Sequence, residues 1–236
     1  MSLKERVEEL FVRRVAVFTE SADFKLLESG EASRAEYDRF IENVFRCHVL
    51  SPHFLSFLLT LAPPDAVASI SHNLLEEMGI EEESGESHPA ILRRLAEGAG
   101  LAERLKALES RARDDLRSVI VAPVLYGTLR NIGLAVMCEV VSYEYMLSRV
   151  ASRIARALQE HRGLSQKSLE WFSHHAEVDI RHAEEGIENL EAYARYYEID
   201  LDDAMAICEA SMRGDIFGRR YFGARGLRLG AAEADS

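Results

Sequence analysis

The stretch His174–His182 reads HHAEVDIRH, with titratable side chains at His174, His175, Glu177, Asp179, Arg181 and His182. Each residue of an α-helix turns by about 100°, so positions i, i+4 and i+7 fall at about 0°, 40° and −20° on one stripe. His175, Asp179 and His182 have that spacing. His174 points about 100° away, and Glu177 and Arg181 also leave the stripe. Trp171, Phe172, Val178 and Ile180 flank the motif, so it does not read as a freely solvated face. Two imidazoles and a carboxylate on one stripe suit Fe(II), Mn(II) or Zn(II). Such a site needs further ligands from elsewhere in the chain.

One source is the apolar run 132–141, IGLAVMCEVV, in which Glu139 is the single charged residue. A carboxylate buried there needs a proton, an arginine or a cation. Glu144, in the more amphipathic YEYMLSR, is the alternative. The other source is 73–79, NLLEEMG, which ends in Glu77 and is followed, after a polar connector (79–87), by His88-Pro89. Glu76 could replace Glu77 from a different face, and His72 with Glu76 forms a rival i, i+4 pair. The candidate set is therefore Glu77, Glu139 and Asp179 with His88, His175 and His182. Two Fe(II) ions against three carboxylates leave about one positive charge, a balance that suits adjacent metals open to an anionic substrate and O2. A ferritin-type site would need ExxH motifs on separate helices. This chain carries only DIRH, and so departs from that pattern. Tyr143, one turn beyond Glu139, and Arg181, beside His182, are candidate pocket groups.

The elements that must position these residues read as helices throughout. The 236 residues are 47% hydrophobic and 29% charged, with 5 prolines and 14 glycines that fall in clusters. Helical periodicity predicts helices over about 3–19, 35–50, 52–61, 64–79, 88–97, 100–121, 124–160, 166–198 and 201–223. No internal repeat or linker divides them. The expectation is one all-α domain over 1–223, a bundle around a single core, with a Gly- and Ala-rich tail over 224–236 that frays. A net charge of −12 argues against nucleic acid or an anionic membrane surface as the main partner. Cys47, Cys138 and Cys208 are scattered and form no CxxC, which fits a reduced cytosol. The charged N-terminus does not resemble a signal peptide, and no run of 18 apolar residues suggests a membrane span. A cytoplasmic protein is expected.

NLLEEMG with a following His, an apolar helix with one Glu, and WFSHHAEVDIRHAEEG together resemble the heme-oxygenase-like diiron oxidases. That family's pattern runs NLxxExG, a His some ten residues on, a Glu in an apolar helix, and HxxxDxxH. Asn73, Glu77 and Gly79 match position by position, and the spacing from Glu77 to His88 departs by one residue. The resemblance covers about residues 70–190. It implies a heme-oxygenase-like bundle of about seven helices without heme. It also implies two Fe(II) per chain, with Mn as another occupant, held by Glu77, His88, Glu139, His175, Asp179 and His182. The activity implied is O2-dependent oxidation, cleavage or rearrangement of a small amino-acid-like or fatty-acid-like substrate. No flavin or nicotinamide signature is present, so extra electrons would come from substrate or an external reductant. Such bundles are also compatible with a homodimer. The rival reading on the same fold is a metal-independent enzyme resembling thiaminase II or pyrroloquinoline-quinone synthase, with Cys138 as nucleophile. A third reading, a helical interaction module, leaves Glu139 and the His-Asp-His stripe unexplained.

Overall fold

Side chains set where the helices begin. Ser2 with Glu5 and Ser33 with Glu36 form capping boxes at the heads of α1 (Leu3–Glu20) and α3 (Arg34–His48). Ser21 caps α2 (Ala22–Ser29), Ser87 caps α6 (His88–Gly98), Thr128 caps α9 (Leu129–Ala157) and Asp200 caps α11 (Leu201–Ser211). Between them run α4 (Ser51–Leu61), α5 (Val67–Glu77), α7 (Leu105–Leu116), the single turn α8 (Ala122–Val124) and α10 (Glu170–Tyr196). Short helices α12 (Ile216–Tyr221) and α13 (Gly226–Leu229) follow. The computed structural model describes residues 1–81, 85–125 and 127–229, and among these there is no strand.

The two long helices, α9 and α10, form the central pair of an all-α bundle. Helices α1, α2, α4 and α11 pack on α9, while α1, α5 and α6 pack on α10. Close approach of the central pair relies on small residues. A Cβ built at Gly186 of α10 would lie 2.6 Å from Val141 Cγ2 of α9. An 18-residue window within Arg34–Leu61 reaches a mean hydropathy of 1.3, apolar enough to cross a membrane by composition alone, and 28% of it is buried. The stretch breaks between α3 and α4, and Phe40, Ile41, Val44, Phe45, Leu55 and Leu58 sit in the core.

The structure differs from the sequence expectation at three joints. Residues 22–29 form a helix that the pattern did not announce, with Phe24 and Leu27 wholly buried. The expected helix over 201–223 is split: Gly214 has φ +68°, and Asp215 caps α12 through Gly218 N at 2.9 Å. A left-handed glycine followed by a capping aspartate ends one helix and begins another. The expected start near 124 moves to Leu129, because Thr128 caps there. The connector 79–87 is described except for 82–84. Of the expected tail, 230–236 lies outside the described residues, whereas Leu227 is buried and its N–H donates to Asp23 Oδ1 at 2.9 Å.

At an exposed helical position Gly→Ala gains up to about 1 kcal/mol. At position 186 the added methyl meets a β-branched side chain that cannot rotate away. Gly186→Ala is therefore expected to lower stability, by about 1 kcal/mol. Urea or thermal unfolding checks the sign.

Candidate metal centre

The motif NLLEEMG builds one wall of the site. Asn73 Nδ2 donates to Glu144 Oε1 of α9 at 2.7 Å. Glu77 is the last residue of α5, and its Oε2 accepts from the Ser51 hydroxyl at 2.6 Å. Gly79, two residues on, has φ +74°, and a Cβ there would lie 2.5 Å from the Glu86 carbonyl carbon. Only glycine permits this turn. The chain doubles back, Ser87 starts α6, and His88 returns to Glu77 with Nδ1–Oε1 at 3.1 Å.

The stripe on α10 supplies the opposite wall, with His175, Asp179 and His182 all buried. His175 Nδ1 donates to the Trp171 carbonyl at 2.7 Å. A carbonyl only accepts, so in the neutral ring Nε2 is the lone-pair nitrogen. Burial and the neighbouring His88 push the His175 pKa well down, which keeps that ring neutral. One ligand atom each from Glu77, His88 and His175 lie within 4.8 Å of one another. His174 also reaches His88, Nε2 to Nε2 at 3.0 Å. Ligation by His88 would replace one of its contacts.

The other half of the cluster centres on His182. Its Nδ1 faces Asp179 Oδ1 at 3.5 Å and its Nε2 meets Glu76 Oε2 at 2.7 Å. Burial alone would lower its pKa, but Asp179, Glu76 and Glu144 raise it to about 10. Arg181 Nη2 holds both Glu76 oxygens at 2.5 and 2.7 Å. Burial would raise the Glu76 pKa, yet His182 and Arg181 bring it down to about 2. Burial pushes Asp179 up to about 6 and Glu144 up to about 7, against the pull of His182. Burial opposes ionisation of Glu77 too, but His88 and Ser51 leave its pKa lowered. Asp179 Oδ2 is buried with no hydrogen-bond partner. Protons here hold carboxylates apart where a cation could. A neutral imidazole of fixed tautomer, buried carboxylates and an orphaned oxygen fit a divalent transition metal.

Of the sequence candidates, the structure brings Glu77, His88, His175, Asp179 and His182 to this region. Glu139 stands elsewhere on α9: its Oε1 pairs with Arg220 Nη2 at 3.2 Å, and burial keeps its pKa raised despite the arginine. Glu144, the alternative, is the α9 carboxylate that acts on Asp179 and His182. Sequence reasoning missed Ser51, His174 and Arg220. Ser51 and Arg220 lie on elements without a motif, and His174 leaves the stripe. It also missed His48, whose Nε2 accepts from the Tyr221 hydroxyl at 2.7 Å beside Trp171. A cavity of ≈ 80 Å³ adjoins the cluster, lined by Glu77, Glu144, His175 and Asp179 on one side and by Phe54, Leu55, Val136 and Val140 elsewhere.

The model of the family described as iron-containing redox enzyme matches residues 38–214. The chain belongs to that heme-oxygenase-like family, and its fold and buried His/Glu cluster agree with an iron-binding oxidoreductase. No curated protein matches the chain.

Two measurements test these electrostatics. An imidazolium at His182 must lose a proton to ligate a metal. Adding Zn(II) or Mn(II) to metal-free protein at neutral pH in weak buffer should release about one proton or more per chain. Burial lowers the His48 pKa from 6.5 to about 4. A base with a depressed pKa contributes stability that is present above pH 6.5 and lost as pH falls toward 4. That loss amounts to at most about 3 kcal/mol. His48→Gln, which can still accept from Tyr221, should flatten the stability profile across that window in denaturant melts.

Proposed function

We propose that the chain is a non-heme diiron oxidase or oxygenase that uses O2 to oxidise, cleave or rearrange a small substrate. The observation that carries this reading is the two-part donor cluster opening onto an apolar cavity. Glu77, His88 and His175 form one ligand group. Asp179, His182 and Glu144 form the other, with Glu144 taking the place the sequence gave to Glu139. When bound, the irons would supply redox chemistry with O2 at a position open to substrate. The chain's own residues do the positioning. Trp171 fixes the His175 tautomer, Asn73 aims Glu144, and Ser51 aims Glu77. Glu76 and Arg181 hold His182 from behind. Phe54, Leu55, Val136 and Val140 keep the substrate side of the cavity apolar. Further electrons would come from the substrate or an external reductant.

The metal-independent reading needs a nucleophilic thiolate in the cavity. Cys138 is buried on the far side of α9, with Sγ 3.9 Å from the Cys208 carbonyl. Cys47 does line the cavity, but burial pushes its thiol up to about 12. The Cys47 thiol therefore lacks the low pKa that nucleophilic catalysis requires, and Cys138 does not line the cavity.

Anaerobic Fe(II) loading followed by metal analysis tests the proposal. About two irons per chain are expected, as in carboxylate-bridged bundles. His175→Ala and Asp179→Ala should lose iron while keeping helical circular dichroism. Glu144→Gln should weaken iron binding by about tenfold, or about 1.4 kcal/mol, and Glu139→Gln should not. Iron uptake no greater than a buffer blank sinks the reading. Loss of iron from Glu139→Gln but not from Glu144→Gln reverses the ligand assignment.

A further inference from the structure

Glu139 is half-buried, faces the cavity and has no place in the ligand set proposed above, so its function needs its own account. Measured from Glu139 on the helical wheel, Tyr143 lies at about 40°, Val136 at about 60°, Val140 at about 100° and Glu144 at about 140°. All five line the same cavity. The exposed face of α9 is thus a floor with a carboxylate on each edge and mostly apolar groups between. The two carboxylates are separated by about 7.5 Å of helical rise. Glu144 looks toward Asp179 and His182, whereas Glu139 looks toward Arg220 of α12.

The Glu139 edge is a polar site with unused capacity. Arg220 Nη2 and Glu139 Oε1 meet in a single contact of 3.2 Å, not the paired fork that arginine and carboxylate favour. Beside them the Tyr143 hydroxyl is buried with no hydrogen-bond partner. Leaving such a hydroxyl unsatisfied is unfavourable unless something enters to bond it. Arg220 lines a second cavity of ≈ 30 Å³ that shares Glu139 and Tyr143 with the first, and a loosely joined ion pair and an orphaned hydroxyl at this junction describe a receptor for a polar group carried by a ligand.

We propose that Glu139, Arg220 and Tyr143 receive the zwitterionic head of an aminocarboxylate substrate, whose aliphatic part extends along the floor toward Glu144 and His175. This rests on the diiron reading for what happens at the far end. The charges select the class. A simple carboxylate would gain Arg220 but meet Glu139, and a simple amine would gain Glu139 but meet Arg220. A zwitterion satisfies both, with its carboxylate on Arg220 and its ammonium on Glu139, and it enters a net-neutral pair as a net-neutral molecule. Tyr143 can then donate to the carboxylate. The walls between the ends, Val136, Val140 and Leu55, suit methylenes. A cavity of ≈ 80 Å³ has room for several waters or a short aliphatic chain, not for a long one.

The test is calorimetric titration of the full chain, metal-free and loaded with redox-silent Zn(II), with L-norleucine, hexanoate and hexylamine at neutral pH. L-norleucine should bind at least about tenfold more tightly than either single-charge analogue. Glu139→Gln should weaken L-norleucine and hexylamine but spare or strengthen hexanoate. Arg220→Gln should do the opposite, weakening L-norleucine and hexanoate while sparing or strengthening hexylamine. If either variant fails to fold, the other still reads the charge selection, and Tyr143→Phe should weaken L-norleucine and hexanoate while sparing hexylamine. The proposal is overturned if L-norleucine does not bind at millimolar concentration. It is also overturned if hexanoate or hexylamine binds as well, or if the variants weaken all three ligands alike. Iron analysis on the same preparations separates the two claims. Iron uptake without zwitterion preference removes this one, and zwitterion preference without iron uptake removes the diiron reading.

Discussion

Glu76, Glu77 and Asp179 are buried where α5, α9 and α10 converge, and half-buried Glu144 joins them from α9. Bringing carboxylates together in a low-dielectric interior is unfavourable unless positive charge comes with them. Everything around the cluster answers that constraint. In the metal-free chain a proton on His182 and the guanidinium of Arg181 supply positive charge, and burial leaves Glu144 and Asp179 easy to protonate. The same groups, stripped of those protons, have the donor chemistry that the proposed divalent cation requires.

Local backbone devices make the convergence geometrically possible. The left-handed turn at Gly79 lets α5 stop at Glu77 and lets α6 start with His88 against it. The i−4 carbonyl of Trp171 orients His175 from within its own helix, and Asn73 reaches across to hold Glu144. His175 and Glu144 are thus each held by a neighbouring group, as metal sites hold the orientation of their ligands. Gly186 and Gly133 allow α10 to approach α9 closely enough for these side chains to meet.

The cavity divides its labour along α9. Helical geometry sends successive turns of one face toward both ends of the pocket, so a single element supplies a group at the metal cluster and another at the Arg220 end. Val136 and Val140 lie between the two carboxylates on that face.

The sequence by itself determined the helical class, the single bundle and the residues of the α10 stripe, because helical spacing places i, i+4 and i+7 together whatever surrounds them. It also announced that Glu77 and His88 would meet, since a carboxylate at a helix end, a glycine and a returning histidine are read in order along the chain. The family match over 38–214 agrees with the helical class. The choice between Glu139 and Glu144 was not legible. Both are carboxylates on one apolar helix, and only the rotation of α9 against α10 decides which faces Asp179 and which faces Arg220. The same holds for Ser51, His48 and Arg220, whose partners are distant in sequence. Local pattern records what a segment can present. Which neighbour receives it depends on the packing of helices, and that exists only once the chain has folded.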